Sequence, residues 1–326
     1  MRELIVRHET WPLAKVFTIS RGSRSASEVV VATIRQDGAI GRGECVPYPR
    51  YGETVEGVVA ALQALAPAIA AGLDRAALQR ALPAGAARNA LDCALWDLEA
   101  KLSGRPVWEL AGLPAPGPVI SAYTLSLDTA EAMGQAARAE SHRPLLKVKL
   151  AGQGDLERVA AIHANAPNSR LIVDANEGWT PEQLVPFSAA LAGLGVEMIE
   201  QPLPAGKDSA LAGIVRPVPV CADESCHDAK DVPGLAGRYD FINIKLDKTG
   251  GLTEALAVKK AAEAAGLRIM VGCMVGTSLA MAPALLLAHG ADIADLDGPL
   301  LMARDREHGL TFTGSEIAPA TTELWG

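Results

Sequence analysis

The sequence predicts an α/β protein in which a barrel of parallel strands follows a smaller α+β region. Eight apolar segments with strand composition recur between residues 119 and 298, and helical segments separate them. Charged residues stand at the carboxyl ends of most of these segments, whereas the first 115 residues show no such alternation. Eight strand–helix units over about 180 residues are typical of a closed (β/α)8 barrel.

Length and composition agree with one large domain and a smaller one. Of 326 residues, 49% are hydrophobic and 21% are charged, as in ordinary globular proteins. The formal net charge of -8 argues against nucleic acid or an anionic membrane surface as a partner. The five cysteines are scattered and odd in number, so they predict neither disulfides nor a zinc site and fit a reducing cytoplasm.

Two segments bear on membrane targeting. No apolar stretch precedes the first charges of the chain, so we expect no signal peptide. The longest apolar segment, residues 58–73, contains Gln63 and Pro67. It therefore predicts a core helix and not a membrane span.

The N-terminal region, residues 1–115, predicts a strand followed by helices. "EVVVATI" at 28–34 has strand composition and follows a basic, Ser-rich segment at 20–27 that we expect to be a loop. Helices are expected at about 54–72, 74–82 and 86–102. "PAPGP" at 114–118 predicts a linker to the barrel domain at 116–299, and residues 300–326 are expected to pack back on the N-terminal region.

The eight predicted barrel strands begin near residues 119, 145, 170, 196, 218, 241, 268 and 293. The helices between them have recognisable ends. Thr180 and Gln183 predict a capping box with Pro181 at the first helical position, and Gly266 follows the end of a later helix. A doubly wound open sheet is the alternative, which we disfavour because no Gly-rich phosphate-binding motif follows any strand.

Three carboxylates follow three successive predicted strands: Asp174, Glu200 and Asp223. In a barrel, the carboxyl ends of all strands surround one mouth, so these side chains are expected to converge there. Like charges at such short range favour a cation between them, and oxygen ligands on rigid elements suit Mg²⁺, one per subunit. The alternative for each carboxylate is that it caps the helix after its strand.

Lysines end the second and sixth predicted strands. Lys147 and Lys149, in "LLKVKL", share one face of their strand because side chains alternate. Lys245 ends the strand that stands opposite in a ring of eight. Burial and a neighbouring cation lower the pKa of a lysine towards that of a useful base. Opposed lysines beside a metal predict removal of a proton next to a carboxylate and its return to the other face, which is racemisation or epimerisation.

Together, the motifs "KVK", "DAN", "EQP", "ADES" and "KLDKTGG" resemble those of the muconate-lactonising subgroup of the enolase superfamily. The resemblance covers nearly the whole chain and implies a (β/α)7β-type modified TIM barrel with an α+β capping domain. Four further segments are most similar to the dipeptide epimerases, especially those of Gram-negative bacteria that act on L-Ala-D/L-Glu. These are "SRGSR" (20–24), "GECVPYPRYGE" (43–53), "GCMVGTS" (272–278) and "DLDGP" (295–299).

The resemblance implies a role for each strand-end residue. Lys149 and Lys245 match the two bases, and Lys147 matches the lysine beside the metal-bound carboxylate. The implied metal ligands are Asp174, Glu200 and Asp223. Asp295 and Asp297 match the pair that binds the free ammonium group of a dipeptide. Two carboxylates on one strand face also suit an ammonium group on chemical grounds.

Residues of the cap are expected to close the pocket over the substrate. Arg24, with Arg21 as the alternative, is expected to pair with a substrate side-chain carboxylate, since arginine binds carboxylates through two hydrogen bonds. Tyr48 and Tyr51 either line the same pocket or pack within the cap. On the seventh strand's loop, two hydroxyl residues either bind the substrate or cap the next helix: Thr277 and Ser278.

The implied activity is Mg²⁺-dependent interconversion of L-Ala-D-Glu and L-Ala-L-Glu, by two-base proton transfer through an enediolate, during cytoplasmic turnover of murein peptides. One alternative is an epimerase of other dipeptides. Another is a cycloisomerase or o-succinylbenzoate synthase, whose substrates have no ammonium group for Asp295 and Asp297. A non-catalytic metal-binding barrel is disfavoured, because binding alone does not require costly, partly buried ammonium groups. The oligomeric state is left open, with a homo-oligomer among the alternatives.

Overall fold

A three-stranded antiparallel sheet and five helices form the N-terminal part of the computed structural model, which describes residues 2–326. The strands, in sheet order, are β1 (Glu3–Ile19), β2 (Gly22–Gln36) and β3 (Ala39–Cys45). The helices are α1 (Val55–Ala64), α2 (Ala66–Ala70), α3 (Arg75–Ala81), α4 (Ala86–Ser103) and α5 (Val107–Leu110). The predicted helices are therefore present.

The first hairpin corrects the sequence analysis. Strand β1 was not predicted, and residues 22–27 lie in β2 and not in a loop. The β1–β2 pairing shifts register between Pro12 and Phe17, where several side chains are exposed. Pro12 and the many polar side chains hide the strand signal in this segment.

Helix α4 packs directly against β3. A Cβ atom on Gly41 or Gly43 would lie 2.2 Å from the carbonyl oxygen of Ala94 or Ala90, respectively. Glycine at these two positions therefore lets the helix approach the strand backbone, and the cap becomes one packed layer of helix on sheet.

The second part contains a parallel sheet of eight strands that runs β5 to β12 in chain order. These strands are β5 (Tyr123–Leu125), β6 (Leu145–Lys149), β7 (Arg170–Asp174), β8 (Val196–Glu200), β9 (Val220–Ala222), β10 (Phe241–Ile244), β11 (Arg268–Gly272) and β12 (Ile293–Asp295). A short strand, β4 (Val119–Ile120), precedes them and lies outside this sheet. Ser121 pairs in parallel with Ala294, and Ala122 N donates to Ala294 O at 2.8 Å. This contact joins the two ends of the sheet, so the predicted barrel with a capping domain is confirmed.

The helices of the barrel part are α6 (Ala130–Ala139), α7 (Asp155–Asn165), α8 (Pro181–Gly193), α9 (Val232–Leu235), α10 (Leu246–Thr249), α11 (Leu252–Ala264), α12 (Ser278–Ala288) and α13 (Gly298–Leu301). The connection from β8 to β9 differs from the predicted alternation, because it holds only a 3-10 turn at Ser209–Leu211. Prolines and glycines are frequent in this connection, and they disfavour a longer helix.

The chain after residue 300 contacts both parts. Strands β13 (Phe312–Thr313) and β14 (Glu316–Ile317) form a small antiparallel sheet with β4. Trp325 Nε1 donates to Cys93 O at 3.0 Å, which ties the C-terminus to α4. Over residues 2–326, no helix combines the length and the apolar character needed to cross a bilayer.

Candidate active site

The barrel interior is built in layers, because each strand repeats its inward side with a period of two. The first layer takes one apolar residue from or next to each strand: Ala122, Leu145, Ile172, Met198, Cys221, Phe241, Met270 and Ile293. Two positions further along each strand lies the next layer: Thr124, Lys147, Asp174, Glu200, Asp223, Asn243, Gly272 and Asp295. The side chains that face the barrel interior are therefore apolar in the first layer and mostly charged or polar in the second, which lies nearer the barrel mouth.

Lys147 lies at the centre of this charged layer. Its Nζ is 2.6 Å from Glu200 Oε2, 2.7 Å from Asp295 Oδ2 and 3.5 Å from Asp174 Oδ2. Burial alone lowers the pKa of Lys147, but these carboxylates outweigh it and raise that pKa well above its ordinary value. Lys147 is therefore a fixed positive charge among the carboxylates.

The two lysines expected to be bases each make their shortest ion pair with a different carboxylate of the layer. Lys149 Nζ lies 2.6 Å from Asp174 Oδ2, and Lys245 Nζ lies 2.6 Å from Asp223 Oδ2. Strands β6 and β10 stand four places apart in the ring of eight, so the two lysines approach the mouth from opposite sides.

The expected lowering of the lysine pKa is not seen at Lys245. Burial lowers the pKa of Lys245, but Asp223 and Glu200 outweigh burial and raise it well above its ordinary value. Burial likewise raises the pKa of Asp174, yet Lys149 and Lys147 bring it down to about 2. A low lysine pKa therefore requires a cation that neutralises these carboxylates.

The donor set fits a hard divalent cation. Asp174, Glu200 and Asp223 end three adjacent strands and supply only oxygen atoms. Asn243 Nδ2 donates to Glu200 Oε1 at 2.7 Å, whereas buried Glu200 Oε2 has no hydrogen-bond partner despite its contact with Lys147. Within residues 2–326, no three acidic, His or Cys side chains are already arranged as a metal cluster. Ammonium groups lie between the carboxylates instead.

Asp295 and Asp297 adjoin Thr124 of the first barrel strand. Thr124 N donates to Asp297 Oδ2 at 2.6 Å, and Thr124 Oγ1 donates to Asp295 Oδ1 at 3.4 Å. Burial and the neighbouring charge of Asp295 raise the pKa of Asp297 to about 7. Both side chains line the pocket between cap and barrel, where a bound ammonium group would offset this repulsion.

The two cap arginines differ in their partners. Arg21 donates to Tyr48 OH at 3.0 Å, to Glu224 Oε1 at 2.9 Å and to Asn176 O at 3.1 Å. Among residues 2–326, the Arg24 side chain has no hydrogen-bond or ion-pair partner, and its guanidinium lies 5.8 Å from the Phe17 ring centroid at the pocket. Arg24 is therefore the arginine available to a carboxylate in the pocket.

Of the two alternatives for Tyr48 and Tyr51, the structure has both side chains lining the pocket. Tyr48 and Tyr51 pack edge to face with ring centroids 5.4 Å apart, and Tyr51 packs similarly on His227 at 4.6 Å. They follow β3 and lie over the barrel mouth, so this cap loop forms part of the roof of the site.

Thr277 and Ser278 do not face the pocket. Thr277 N donates to Glu44 Oε1 at 2.8 Å, and its side chain caps α12. Ser278 N donates to Asp305 Oδ1 at 3.0 Å, and both residues are fully buried. Of the two alternatives, capping of the next helix applies to Thr277, and the structure contradicts substrate binding by either residue, because their hydroxyl groups already bond Glu44 and Asp305.

Two site residues were not singled out by the sequence analysis. Buried Glu224 lines the pocket, and its Oε2 has no hydrogen-bond partner. Lys248 Nζ donates to Asp223 Oδ1 at 2.7 Å and to Asn243 O at 2.9 Å, so it holds the oxygen that Lys245 does not contact. The signals were their places in "ADES" and "KLDK", beside residues already selected.

Comparison with known proteins agrees with this architecture. Residues 1–112 match the family "Mandelate racemase / muconate lactonizing enzyme, N-terminal domain", and residues 128–311 match "Enolase C-terminal domain-like". The chain belongs to the enolase superfamily, which confirms the resemblance found in its motifs. Within that superfamily it is an isomerase of the racemase and epimerase type.

Two curated relatives are similar over almost the whole chain. The L-Ala-D/L-Glu epimerase of Escherichia coli (strain K12) is 49% identical over 319 residues, which cover 97% of this chain and 99% of that protein. The N-acetyl-D-glutamate racemase of a Pseudoalteromonas species is 48% identical over 300 residues, covering 91% and 95%.

One solved structure superposes over the full length of both chains. It is an enolase family member from Agrobacterium tumefaciens with homology to dipeptide epimerases, bound to sodium and L-Ala-L-Glu. It is 53% identical to this chain, with a TM-score of 0.98 and 100% coverage of each chain.

Proposed function

We propose that the protein is a dipeptide epimerase that interconverts L-Ala-D-Glu and L-Ala-L-Glu by inverting the α-carbon of the second residue. One observation carries the proposal: opposed lysines, a carboxylate pair and an arginine without a protein partner face one pocket. The lysines are Lys149 and Lys245, the pair is Asp295 and Asp297, and the arginine is Arg24. We assign the activity to cytoplasmic turnover of murein peptides, since L-Ala-D-Glu is a murein fragment.

The two ends of a dipeptide match the charges of the pocket. The free ammonium group pairs with Asp295 and Asp297, which are buried and already repel each other. The side-chain carboxylate of glutamate pairs with Arg24, whose burial without a partner lowers its pKa. The carboxylate pair and the Arg24 guanidinium are thereby each paired with an opposite charge of the substrate. This arrangement selects a dipeptide that ends in glutamate.

The proton transfer is assigned to the two opposed lysines. One lysine accepts the α-proton from one face of the carbon, and the other lysine donates a proton to the opposite face. Lys149 and Lys245 approach from β6 and β10, so the same pair serves both directions with exchanged roles. The intermediate between the two steps is the enediolate of the substrate carboxylate.

We assign one Mg²⁺ to the carboxylates of Asp174, Glu200 and Asp223. When bound, the ion supplies positive charge to the substrate carboxylate and so lowers the cost of removing the α-proton. Lys147 and Asn243 contact Glu200, and Lys248 contacts Asp223, so these three residues keep the ligands in position. The donor set supports the assignment, because three buried carboxylates at the ends of adjacent strands supply the oxygen ligands that a hard divalent cation prefers.

Solvent exchange tests the proposal directly. In D₂O with Mg²⁺, the wild-type protein is expected to convert either epimer of L-Ala-Glu into a mixture of both, with deuterium at the glutamate α-carbon. If Lys149→Ala and Lys245→Ala both kept wild-type exchange and epimerisation, the two-base assignment would be wrong.

N-acetylglutamate racemisation is a second candidate, favoured by the Pseudoalteromonas relative. That substrate keeps the glutamate carboxylates but has no ammonium group. Asp297 favours the dipeptide, because an acetyl group would leave its buried carboxylate without a cation, whereas Asp295 is already paired with Lys147. Comparing kcat/KM for L-Ala-L-Glu and N-acetyl-L-glutamate on one preparation distinguishes the two candidates.

A further inference from the structure

We propose that Phe17 and Leu301 set the size of the first residue of the substrate, by separating the ammonium end of the pocket from a second cavity. The inference rests on the proposed dipeptide epimerase function. Phe17 and Leu301 carry no group that can transfer a proton, so their role is substrate selection and not catalysis.

The second cavity is a groove between the first hairpin, the loop after β5 and helix α6. Its volume is about 370 Å³, which lies within the usual range of ligand sites, about 300–1,000 Å³. Its lining is largely apolar and includes Val16, Leu127, Met133 and Ala136. The groove therefore has the chemistry and the size to take an amino-acid side chain.

Three residues line both the groove and the active-site pocket: Phe17, Thr124 and Leu301. Phe17 is buried and packs in one cluster with Leu301, Val275 and Met302. The large apolar side chains of Phe17 and Leu301 therefore form the wall between the cavities, and Thr124 lies beside them at the boundary.

The wall is anchored to the barrel on the groove side. Thr18 N donates to Ser126 Oγ at 2.8 Å, and Leu127 N donates to Thr18 O at 3.0 Å. Phe17, next to Thr18 in β1, is thus held against the loop that follows β5. The hairpin end cannot move away from the wall without losing these hydrogen bonds.

The first residue of a bound dipeptide lies next to this wall. Its ammonium group pairs with Asp295 and Asp297, and Asp297 accepts from the backbone of Thr124 at 2.6 Å. One bond separates the ammonium nitrogen from the α-carbon, so the side chain of the first residue starts beside Thr124. Alanine fits in front of the wall, whereas a longer side chain would meet Phe17 or Leu301.

Removing the wall should join the pocket to the groove. We compare kcat/KM for L-Leu-L-Glu with kcat/KM for L-Ala-L-Glu in wild type, Phe17→Ala and Leu301→Ala. Both substrates end in glutamate, so any effect on Arg24, which lies over the Phe17 ring, cancels in the ratio. The ratio is expected to rise about tenfold or more in each variant, the usual effect of pocket shape on an apolar side chain.

Val16→Ala is the matched control. Val16 is 60% exposed and lines the groove but not the active-site pocket, so the ratio should keep its wild-type value. Circular dichroism checks folding, and Leu301→Ala alone decides the question if Phe17→Ala does not fold. A wild-type ratio in folded wall variants, with the parent active on L-Ala-L-Glu, would overturn the inference. A parent inactive on L-Ala-L-Glu would overturn the proposed function and this inference with it.

Discussion

Lys245 Nζ lies 2.6 Å from Asp223 Oδ2, across the carboxyl ends of β10 and β9. On the other side of the barrel, Lys149 Nζ makes the same contact with Asp174 Oδ2 at 2.6 Å. Each proposed base is thus paired with a proposed metal ligand. Because a cation at the carboxylates would compete with the ammonium groups for the same oxygens, metal binding and release of the lysines are expected to be linked.

Magnesium should stabilise the folded protein through Glu200. At a Mg²⁺ concentration of 100 Kd, binding to the folded state raises the free energy of unfolding by about 2.7 kcal/mol. Glu200→Gln is expected to lose most of this increase, as measured by urea unfolding with and without Mg²⁺. Glu224→Gln is the matched control, because Glu224 is also buried and directly follows the proposed ligand Asp223, but is not itself a proposed ligand. Equal Mg²⁺ stabilisation of both variants would contradict the ligand assignment.

Each lysine should serve one epimer. Lys149→Ala and Lys245→Ala are each expected to lower epimerisation by about 10²–10⁴-fold, the usual contribution of a general base. Each variant should keep α-deuterium exchange with only one epimer of L-Ala-Glu, because the remaining lysine reaches only one face of the carbon. NMR of the glutamate α-proton in D₂O measures both epimerisation and deuterium exchange. Equal exchange of both epimers in either variant would exclude the opposed arrangement.

Asp297→Asn should weaken dipeptide turnover selectively. Asparagine keeps an oxygen for the hydrogen bond from Thr124 N but removes the charge that pairs with the ammonium group. We expect kcat/KM for L-Ala-L-Glu to fall by about 10–100-fold, as for loss of a charged hydrogen bond. Any turnover of N-acetyl-L-glutamate should not fall. A parallel loss for both substrates would instead indicate a general disturbance of the site.

Arg24→Ala should change the preference for the second residue. For L-Ala-L-Glu, the fall in kcat/KM is expected to correspond to a loss of about 2 kcal/mol or more of transition-state stabilisation. For L-Ala-L-Gln, the loss should be much smaller. Arg21→Ala removes hydrogen bonds to Tyr48 and Glu224, so it should affect both substrates alike. If Arg21→Ala shifted the Glu/Gln ratio and Arg24→Ala did not, the arginine that binds the substrate side chain would be Arg21.

Asp247→Asn should stabilise the protein at alkaline pH. Burial raises the pKa of Asp247 from its ordinary value of 3.8 to about 7. The stability that the neutral form contributes is therefore present below pH 4 and lost as pH rises through 7. Val46 N and Asn89 Nδ2 both donate to Oδ1 of Asp247. The side-chain oxygen of asparagine can still accept these hydrogen bonds, but asparagine cannot ionise.

The variant's gain in unfolding free energy over wild type should grow between pH 5 and pH 8. It should reach roughly 1–3 kcal/mol, since each pKa unit corresponds to about 1.4 kcal/mol. Urea unfolding at both pH values measures it. A constant difference across this range would show that Asp247 does not titrate with folding.

The strand-end residues of the barrel were predictable because alternation acts within a single strand. Lys147 and Asp174 each lie two positions after a buried apolar residue of the same strand, so the sequence alone fixes the face on which they lie. The regular spacing of strands then places them at one end of one barrel. The site therefore follows from local patterns once the barrel is recognised.

The long first hairpin could not be predicted in the same way. Much of β1 is exposed, so its side chains show no clear alternation of apolar and polar residues. Its pairing with β2 defines the strand, and that pairing depends on contacts between the two strands and not on the propensity of either.

The barrel, the order of its strands and the charged layer at its mouth can be read from the sequence, because period-two alternation and strand–helix spacing are local properties. Which polar groups are free to meet a substrate depends instead on contacts between distant parts of the chain. Thr277 binds Glu44, 233 positions away in the chain, whereas Arg24 has no such partner among residues 2–326. Such pairings depend on how the cap packs on the barrel, and no periodicity within either segment encodes them.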